Sequence, residues 1–368
     1  MKRKNFRRFA AVGAIAVILG LWGCKPPAAP IVCGPPLAKG ELIALNNANA
    51  AKVPSLRASA DVEIRFRDEK EEEQHYRARD GFLRLLKDPQ NPQAVPSFLL
   101  VAQMVSEAYF AAGVDSAAGD YYYWIDAPTA RVHPEARWGQ LADLHRPGYE
   151  SLPVDPVDLL YVLPVLPWPQ NDPAHPVFVV PKDDPCLYDV IFFTQGGGQT
   201  LQLRRQMWMD RTVVPARLTH VWIMDPEGRV TVDANLADYR KIKDPNLPAS
   251  QWPEMPTDIT LRYPQEKKIA SLRLRLTNLT VGTKDEPVRP AMFRRQSVIP
   301  SRIEDQRALG PLKESPLDAG SAVSQPAESR PTQSRPVESQ PAEPQPAVSP
   351  AEGQAAASQP AQTGELTP

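Results

Sequence analysis

The feature that most limits how this chain can fold is the stretch Ser55 to Arg67, in which apolar and polar residues alternate without a break. Its apolar members are Leu56, Ala58, Ala60, Val62, Ile64 and Phe66. A period of two places the apolar set on one face of a strand and the polar set on the other. A strand with one buried and one solvent-exposed face is typical of an antiparallel sheet, because parallel strands are usually buried on both faces.

Later stretches repeat this alternation. They are Leu201, Leu203, Met207 and Met209; Val230, Val232, Ala234 and Leu236; Ile259, Leu261 and Tyr263; and Leu272, Leu274 and Leu276. Between two of these stretches lies Asp225-Pro226-Glu227-Gly228, with Pro and Gly at the positions that a tight turn favours. We therefore predict consecutive hairpins in one large antiparallel sheet.

Two helices are predicted beside the sheet. Glu41 to Asn49 has leucines at helical spacing ahead of the first strand. Asp155-Pro156 resembles a helix start, with Asp155 as the N-cap and Pro156 at the first helical position, and Pro164 ends that helix. The pattern predicts that both helices cover the concave face of the sheet.

The N-terminus has the form of a lipoprotein signal. Met1 to Arg8 carries five basic residues, and Phe9 to Leu21 is apolar apart from its glycines. Leu21-Trp22-Gly23-Cys24 then resembles a lipobox, which predicts a signal peptide over residues 1–23 and lipid on the Cys24 thiol. The alternatives are a plain secretory signal and a retained span, although the apolar stretch is short for a bilayer that needs about 20 residues.

Removal of residues 1–23 changes the formal net charge from −1 to −6, because five basic residues and no acid are lost. A mildly acidic chain without a basic stripe argues against nucleic acid or anionic lipid headgroups as the main partner. The remaining cysteines, Cys33 and Cys186, could form a disulfide in an oxidising compartment, or they could be two separate buried thiols.

Composition divides the mature chain into three parts. Residues 24–40 are rich in Pro and Ala and are predicted to be a tether that follows the lipidated cysteine. Residues 41–300 contain the strand and helix patterns and are predicted to form one domain. Residues 301–368 are dominated by Pro, Ser, Gln, Ala and Glu, which predicts a disordered tail.

No pattern in the chain indicates catalysis. The five histidines lie far apart, with no pair at metal-ligand spacing, and no Gly-x-Ser-x-Gly elbow is present. Gly196-Gly197-Gly198 lacks the Lys-Ser/Thr of a phosphate loop and is better explained as a turn. Tyr121 to Trp124 could be a glycan platform, but aromatic residues also favour strands. We predict a protein without enzymatic activity, cofactor or metal.

Five stretches together form a recognisable pattern of strands, turns and a helix: VPSLRASADVEIRF (53–66), HYRARDGFLRLLKDP (75–89), GDYYYWIDAPTARVHPEARWG (119–139), VDPVDLLYVLP (154–164) and MWMDRTVVPARLTHVWIMDPEGRVTVDANLADYR (207–240). They resemble the LolA/LolB-like family of bacterial envelope proteins, which includes the periplasmic carrier LolA, its outer-membrane receptor LolB and the related regulator RseB. The resemblance covers most of Glu41 to Val281 and contains no catalytic signature.

The resemblance implies a mainly β fold, an unclosed antiparallel β-barrel whose few helices cover the concave face, with a hydrophobic cavity for acyl chains. We expect that cavity to be lined by Leu56, Val62, Ile64, Phe66, Leu201, Leu203, Leu272 and Leu274. It also implies a role as a binder of lipid or of lipoprotein acyl chains, in lipoprotein sorting.

Lys25 follows the lipidated cysteine, where an inner-membrane retention signal often has Asp, so we expect an outer-membrane protein that faces the periplasm. Membrane lipid, through the acylated Cys24, is then one partner. The alternative function is a structural or regulatory envelope lipoprotein that binds a protein or a glycan.

Overall fold

The computed structural model describes residues 33–67, 72–104, 107–127, 133–144, 149–195, 201–265, 269–282 and 287–311. Its strands are β1 Ser55–Arg67, β2 Glu73–Leu86, β3 Ser97–Met104, β4 Glu107–Asp115, β5 Asp120–Ile125, β6 Glu135–Gln140, β7 Val177–Asp183, β8 Cys186–Gln195, β9 Leu201–Asp210, β10 Arg217–Met224, β11 Val230–Ala237, β12 Arg240–Lys241, β13 Glu254–Met255, β14 Asp258–Arg262, β15 Ile269–Thr280 and β16 Asp305–Ala308. The helices are α1 Lys39–Ala51, α2 Pro156–Val162 and α3 Arg295–Val298, with short 3-10 turns at Leu141–Asp143, Ala249–Gln251 and Pro290–Phe293. The predicted signal peptide, Cys24 and the tail beyond Pro311 lie outside the described residues.

Fourteen of these strands form one sheet, in the order β16-β6-β5-β4-β3-β2-β1-β15-β14-β11-β10-β9-β8-β7. The order is linear, so the sheet has two edges and does not close. Its neighbours are antiparallel except β16, which runs parallel to β6. The prediction of a mainly β, unclosed antiparallel half-barrel with few helices is confirmed.

β1 lies at the middle of the sheet, between β2 and β15. All six of its alternating apolar residues are at most 2% exposed, as the period of two predicts. Val62 pairs with Leu274, and Ile64 pairs with Leu272, so the apolar faces of β1 and β15 coincide. The turn at Asp225 also forms as predicted, with Gly228 at φ 78° and its amide donating to the Asp225 carbonyl at 3.0 Å.

The two predicted helices both form and cover the concave face. α1 contributes Leu42 and Ile43 to the buried cluster that contains β1, and α2 contributes Val157 and Leu160. Asp155 caps α2 by accepting a hydrogen bond from the Val157 amide at 2.8 Å. α2 begins at the predicted residue because its N-cap interaction joins residues two positions apart, whereas the N-cap of α1, Ala38, makes no side-chain hydrogen bond.

The aromatic run Tyr121 to Trp124 forms the strand β5, and its four side chains are at most 4% exposed. The strand interpretation is therefore correct, and these rings offer no exposed platform. Gly139 on β6 makes this packing possible, since a Cβ there would lie 2.7 Å from the Tyr121 ring. Gly113 on β4 leaves the same room for the Tyr122 ring.

The folded domain continues to Pro311, beyond the boundary predicted at residue 300. Val288, Phe293 and Ile303 cover the outer face of the β3–β6 half of the sheet and form a second buried cluster with Tyr122 and Trp124. β16 then adds to the edge of the sheet beside β6. Composition missed this segment because its apolar residues are scattered through irregular backbone and have no regular period.

The domain also begins before the predicted boundary at residue 41. Cys33 forms a disulfide with Cys186 at the start of β8, with the two Cα atoms 5.6 Å apart. The Leu37 amide donates to the Tyr188 hydroxyl at 2.8 Å, and Arg211 donates to the Gly34 carbonyl at 2.8 Å. The last part of the predicted tether is therefore packed against the sheet.

No helix in the described part of the chain is long and apolar enough to cross a membrane.

Candidate functional site

A cleft of about 650 Å³ opens between the concave side of the sheet and the proline-containing segment that follows α2. Its apolar walls come from Val95 before β3, Leu166 after α2, Phe192 on β8 and Ile223 on β10. The volume lies within the range of about 300–1,000 Å³ that small-molecule sites occupy. The cleft is therefore large enough to accept a ligand.

Two consecutive arginines, Arg204 and Arg205, line this cleft. Phe193 pairs with Leu203 but Phe192 pairs with Arg205, so Arg204 is an extra residue in β9, a β-bulge. In a regular strand two consecutive side chains would point to opposite faces, and the bulge cancels that alternation locally. Arg204 and Arg205 can therefore both line the same cleft.

The guanidinium of Arg205 contacts two aromatic rings. Its guanidinium carbon is 4.1 Å from the centroid of Phe192 and 4.4 Å from that of Tyr161. Burial lowers the pKa of Arg205 to about 10, so the side chain is still charged at neutral pH. Its Nε is buried and has no hydrogen-bond partner within the described chain. The arrangement holds a cation in an apolar wall by contact with ring faces.

A group of buried polar side chains lies near Arg205. Burial raises the pKa of Asp155 to about 6 and that of Asp158 well above its usual range. The charges of Arg204 and Arg205 act in the opposite direction on Asp158. Burial also raises the pKa of Tyr263, and the negative charges of both aspartates raise it further. The start of α2 therefore presents carboxyl groups, in a poorly solvated place, to the arginines of β9.

Six of the eight residues predicted to line the cavity are in the core and do not border this cleft. Leu56, Val62, Ile64, Phe66, Leu272 and Leu274 are at most 2% exposed and belong to one buried cluster. The structure brings these six together as packing, because α1 and α2 cover the middle of the sheet.

Leu201 and Leu203 lie outside the buried cluster that contains the other six predicted cavity residues. Leu201 is 52% exposed, and Leu203 is half-buried. The bulge at Arg204 shifts the alternation of β9 by one residue, which turns Leu201 and Leu203 away and turns Gln202 towards the cleft. The eight residues line neither this cleft nor a second one of about 50 Å³, bordered by Leu42, Pro164 and Leu218.

The outer face of β9 and β10 carries an aromatic cluster. The Trp208 ring centroid lies 4.8 Å from that of Trp222 and 4.9 Å from that of His220. His220 contacts Asn235 at 2.8 Å through Nδ1 and Asp233 at 3.0 Å through Nε2. All three rings are partly exposed. In the residues that the structure describes, no group of three or more His, Cys, Asp or Glu side chains could hold a metal ion.

No protein-family model matches this chain, and no curated protein matches it either. Three similar solved structures are a DUF1329 family protein from Desulfovibrio piger, a putative outer membrane lipoprotein-sorting protein domain from Vibrio parahaemolyticus and a LolA superfamily protein from Nitrosomonas europaea. Their sequence identities are 10%, 12% and 12%, and their TM-scores are 0.41, 0.42 and 0.40. The matches cover 71%, 70% and 71% of this chain and 97%, 97% and 100% of the other chains.

One of these neighbours is described as a LolA superfamily protein, and LolA is in the family that the sequence resembles. The strand order, and not these scores, establishes the half-barrel.

The arginines of the cleft were missed in the sequence, although one signal for them was present. The alternation Leu201, Leu203, Met207, Met209 leaves Arg205 at a position that should face the core. A charge at a core-facing position is either paired or functional. The bulge itself has no such signal, since Gln202-Leu203-Arg204-Arg205-Gln206 contains no Gly or Pro.

Proposed function

We propose that this protein is an envelope lipoprotein, anchored through lipid on Cys24, whose half-barrel binds the acyl chain of a lipid or lipoprotein without catalysis. The observation that carries the proposal is the cleft of about 650 Å³ with Val95, Leu166, Phe192 and Ile223 in its walls. A chain buried there would gain about 0.8 kcal/mol for each methylene removed from water. Several methylenes together would make binding favourable.

The proposed anchor would keep the cleft close to the membrane. Cys33, which is disulfide-bonded to β8, follows Cys24 by nine residues, and an extended chain of that length spans about 30 Å. With Lys25 after the lipidated cysteine, the protein would lie on the periplasmic face of the outer membrane. A short tether of this kind suits a protein that exchanges acyl chains with the bilayer or with a lipoprotein.

Binding is tested with the mature chain, residues 24–368, carrying Cys24→Ser so that it is soluble and unacylated. Titration with cis-parinaric acid should give a saturable fluorescence increase. Val95→Trp should weaken binding at least tenfold, because the larger ring fills the cleft. Val180→Trp is the matched control on β7, where Val180 is 45% exposed and borders neither cleft. Equal affinity of Val95→Trp and Val180→Trp for parinarate would contradict binding in this cleft.

Anchoring is tested separately in the producing cell. Palmitate label should enter the wild-type chain but not Cys24→Ala, and the variant should remain an uncleaved precursor. Fractionation by membrane density then tests the outer-membrane location. Label in the variant equal to that in the wild type would contradict lipidation at Cys24.

The alternative function, binding of a protein or glycan, has one observation in its favour. Trp208, His220 and Trp222 form a partly exposed cluster on the outer face, away from the cleft, with Asp233 beside it. Rings of this kind stack on sugars, and the acid can accept hydrogen bonds. Soluble peptidoglycan fragments should then change the tryptophan fluorescence of the wild type but not of Trp222→Leu, while parinarate binding is unaffected.

A further inference from the structure

We infer that the ligand of the cleft is an anionic lipid, whose carboxylate or phosphate is held by Arg205 and Arg204 while its acyl chain lies along the apolar walls. This inference rests on the proposed function and adds the chemistry of the head group. It predicts selectivity for lipids that carry a negative charge next to the chain.

The first support is the charge of the cleft. Arg204 and Arg205 both border it, and no Asp or Glu is among the described residues that line it. The mature chain is otherwise acidic, with a formal net charge of −6 once the five basic residues of the signal are removed. The cleft is thus a local cationic site on an acidic protein, which favours entry of an anion.

The second support is the unused hydrogen-bonding capacity of these arginines. The buried Nε of Arg205 has no hydrogen-bond partner, and among the described residues the side chains of Arg204 and Arg205 take part in no hydrogen bond or ion pair. Other arginines of the sheet differ: Arg77 binds Asp61, Arg273 binds Asp258, and Arg217 binds Glu254. Each guanidinium has five donors arranged to match a carboxylate or a phosphate.

The third support is the contact of the Arg205 guanidinium with two aromatic rings. Its carbon lies 4.4 Å from the ring centroid of Tyr161 and 4.1 Å from that of Phe192. Contacts with ring faces orient the side chain without using its N–H donors for hydrogen bonds. Fixing the side chain in advance lowers the entropy cost of binding.

Asp158 is the acid whose charge acts on Arg205, and it is not among the residues that line the cleft. Burial raises the pKa of its carboxyl, because a poorly solvated place disfavours the charged form.

The cleft also selects an amphiphile over a free anion. Phe192 contacts Arg205 with its ring and borders the same cleft as Leu166 and Ile223, so the cationic end is continuous with apolar walls. A ligand that has both a charged group and a chain can use both parts. Inorganic phosphate can use only the first.

The experiment compares ligands that share an 18-carbon chain and differ in charge, on the mature chain with Cys24→Ser, by displacement of a neutral fluorescent acyl probe. Oleate and 1-oleoyl-lysophosphatidylglycerol should bind at least tenfold tighter than neutral 1-monoolein. Arg205→Gln and Arg204→Gln should remove that preference and leave monoolein binding within about twofold. Arg262→Gln, at an arginine 64% exposed on the outer face, is the matched control and should keep it.

Arg205→Lys tests whether a loss of binding comes from misfolding, because lysine keeps the positive charge and loses the planar guanidinium. This variant should retain part of the preference for anionic lipids. Thermal melts of every variant accompany the titrations. Equal affinity of wild type for oleate and monoolein would overturn the inference while the proposed function stands. Failure of all lipids to bind would overturn both. Inorganic phosphate competing as well as the lysophospholipid would identify a free-anion site and also overturn the inference.

Discussion

The guanidinium of Arg205 lies 4.1 Å from the ring centroid of Phe192, and the same two residues are paired partners across β9 and β8. The pairing exists because Arg204 bulges out of β9 next to it. The backbone irregularity and the stacked cation are therefore one feature, and a change in the ring should affect both stability and ligand binding.

Phe192→Leu should lower the free energy of unfolding by about 1–3 kcal/mol, through lost apolar contact and the loss of a desolvated cation–π contact. It should also weaken oleate binding more than monoolein binding. Phe193→Leu is the control for the contact with Arg205, because Phe193 borders the same cleft but its ring contacts Phe178, 5.5 Å away, and not Arg205. Urea denaturation of both variants measures the difference. A larger loss in Phe193→Leu would contradict the importance of the stack.

Acidification should stabilise the start of α2. Burial raises the pKa of Asp155 to about 6, above its ordinary value of 3.8. Between these pH values the folded state holds more protons than the unfolded state, so this group makes stability fall as pH rises from about 4 to 6. Asp155→Asn keeps an N-cap oxygen and removes the charge, so its advantage over wild type should grow across that window.

Asp258→Asn is the control of opposite sign, because a hydrogen bond from Arg273 lowers the pKa of Asp258. That group adds stability which is present above pH 4 and is lost as its carboxylate is protonated. Urea midpoints at several pH values between about 2.5 and 7 give both differences, because the Asp258 contribution changes below pH 4 and the Asp155 contribution changes above it. Parallel curves for wild type and Asp155→Asn would contradict the raised pKa.

Lys87, which follows β2 and contacts the last turn of α1, should make stability rise with pH in the alkaline range. The Lys87 ammonium donates to the Ala50 carbonyl at 2.6 Å, and burial lowers its pKa to about 8, from 10.5. Between these values the unfolded state binds more protons, so stability should rise with pH from about 8 to 9.5. Lys87→Met should remove that rise. Urea midpoints of wild type and Lys87→Met between pH 7 and 9.5 measure the difference, and parallel curves would contradict the lowered pKa.

Sequence patterns were sufficient where the determining interaction is local. The alternation of β1, the Asp155 cap and the Gly228 turn all form as predicted, since each depends on residues a few positions apart. They identify the half-barrel as a large antiparallel sheet covered by two helices. They do not reveal which part of its interior is filled.

The cleft could not be located from sequence for two physical reasons. First, a bulge of one residue at Arg204 reverses the faces of Leu201 and Leu203, and nothing in the local composition marks it. Second, whether the inner face of β1 borders a void depends on how α1 and α2 pack, which is a tertiary property. Leu56, Ile64 and Phe66 are apolar at the right period in either case.

The last prediction concerns the C-terminal boundary of the domain. Ile303 is 1% exposed against the outer face of the sheet, and the Leu309 amide donates to the Trp138 carbonyl at 2.7 Å. Arg137 binds Asp305 at 2.6 Å as well as Glu135 at 2.9 Å. A chain that ends at residue 300 loses all of these contacts except the one with Glu135.

Ending the mature chain at Pro311 should leave the unfolding free energy within about 0.5 kcal/mol of the full chain, because the residues beyond it have few large apolar side chains to bury. Ending it at Pro300 should cost at least about 2 kcal/mol, the scale for exposing one buried isoleucine. Ile303→Ala in the full chain separates packing from truncation and should cost about 2–5 kcal/mol. Urea denaturation of the three chains makes the comparison. Equal stability of the chains ending at 300 and 311 would mean that β16 and Ile303 add nothing, and the domain would then end where composition alone predicts.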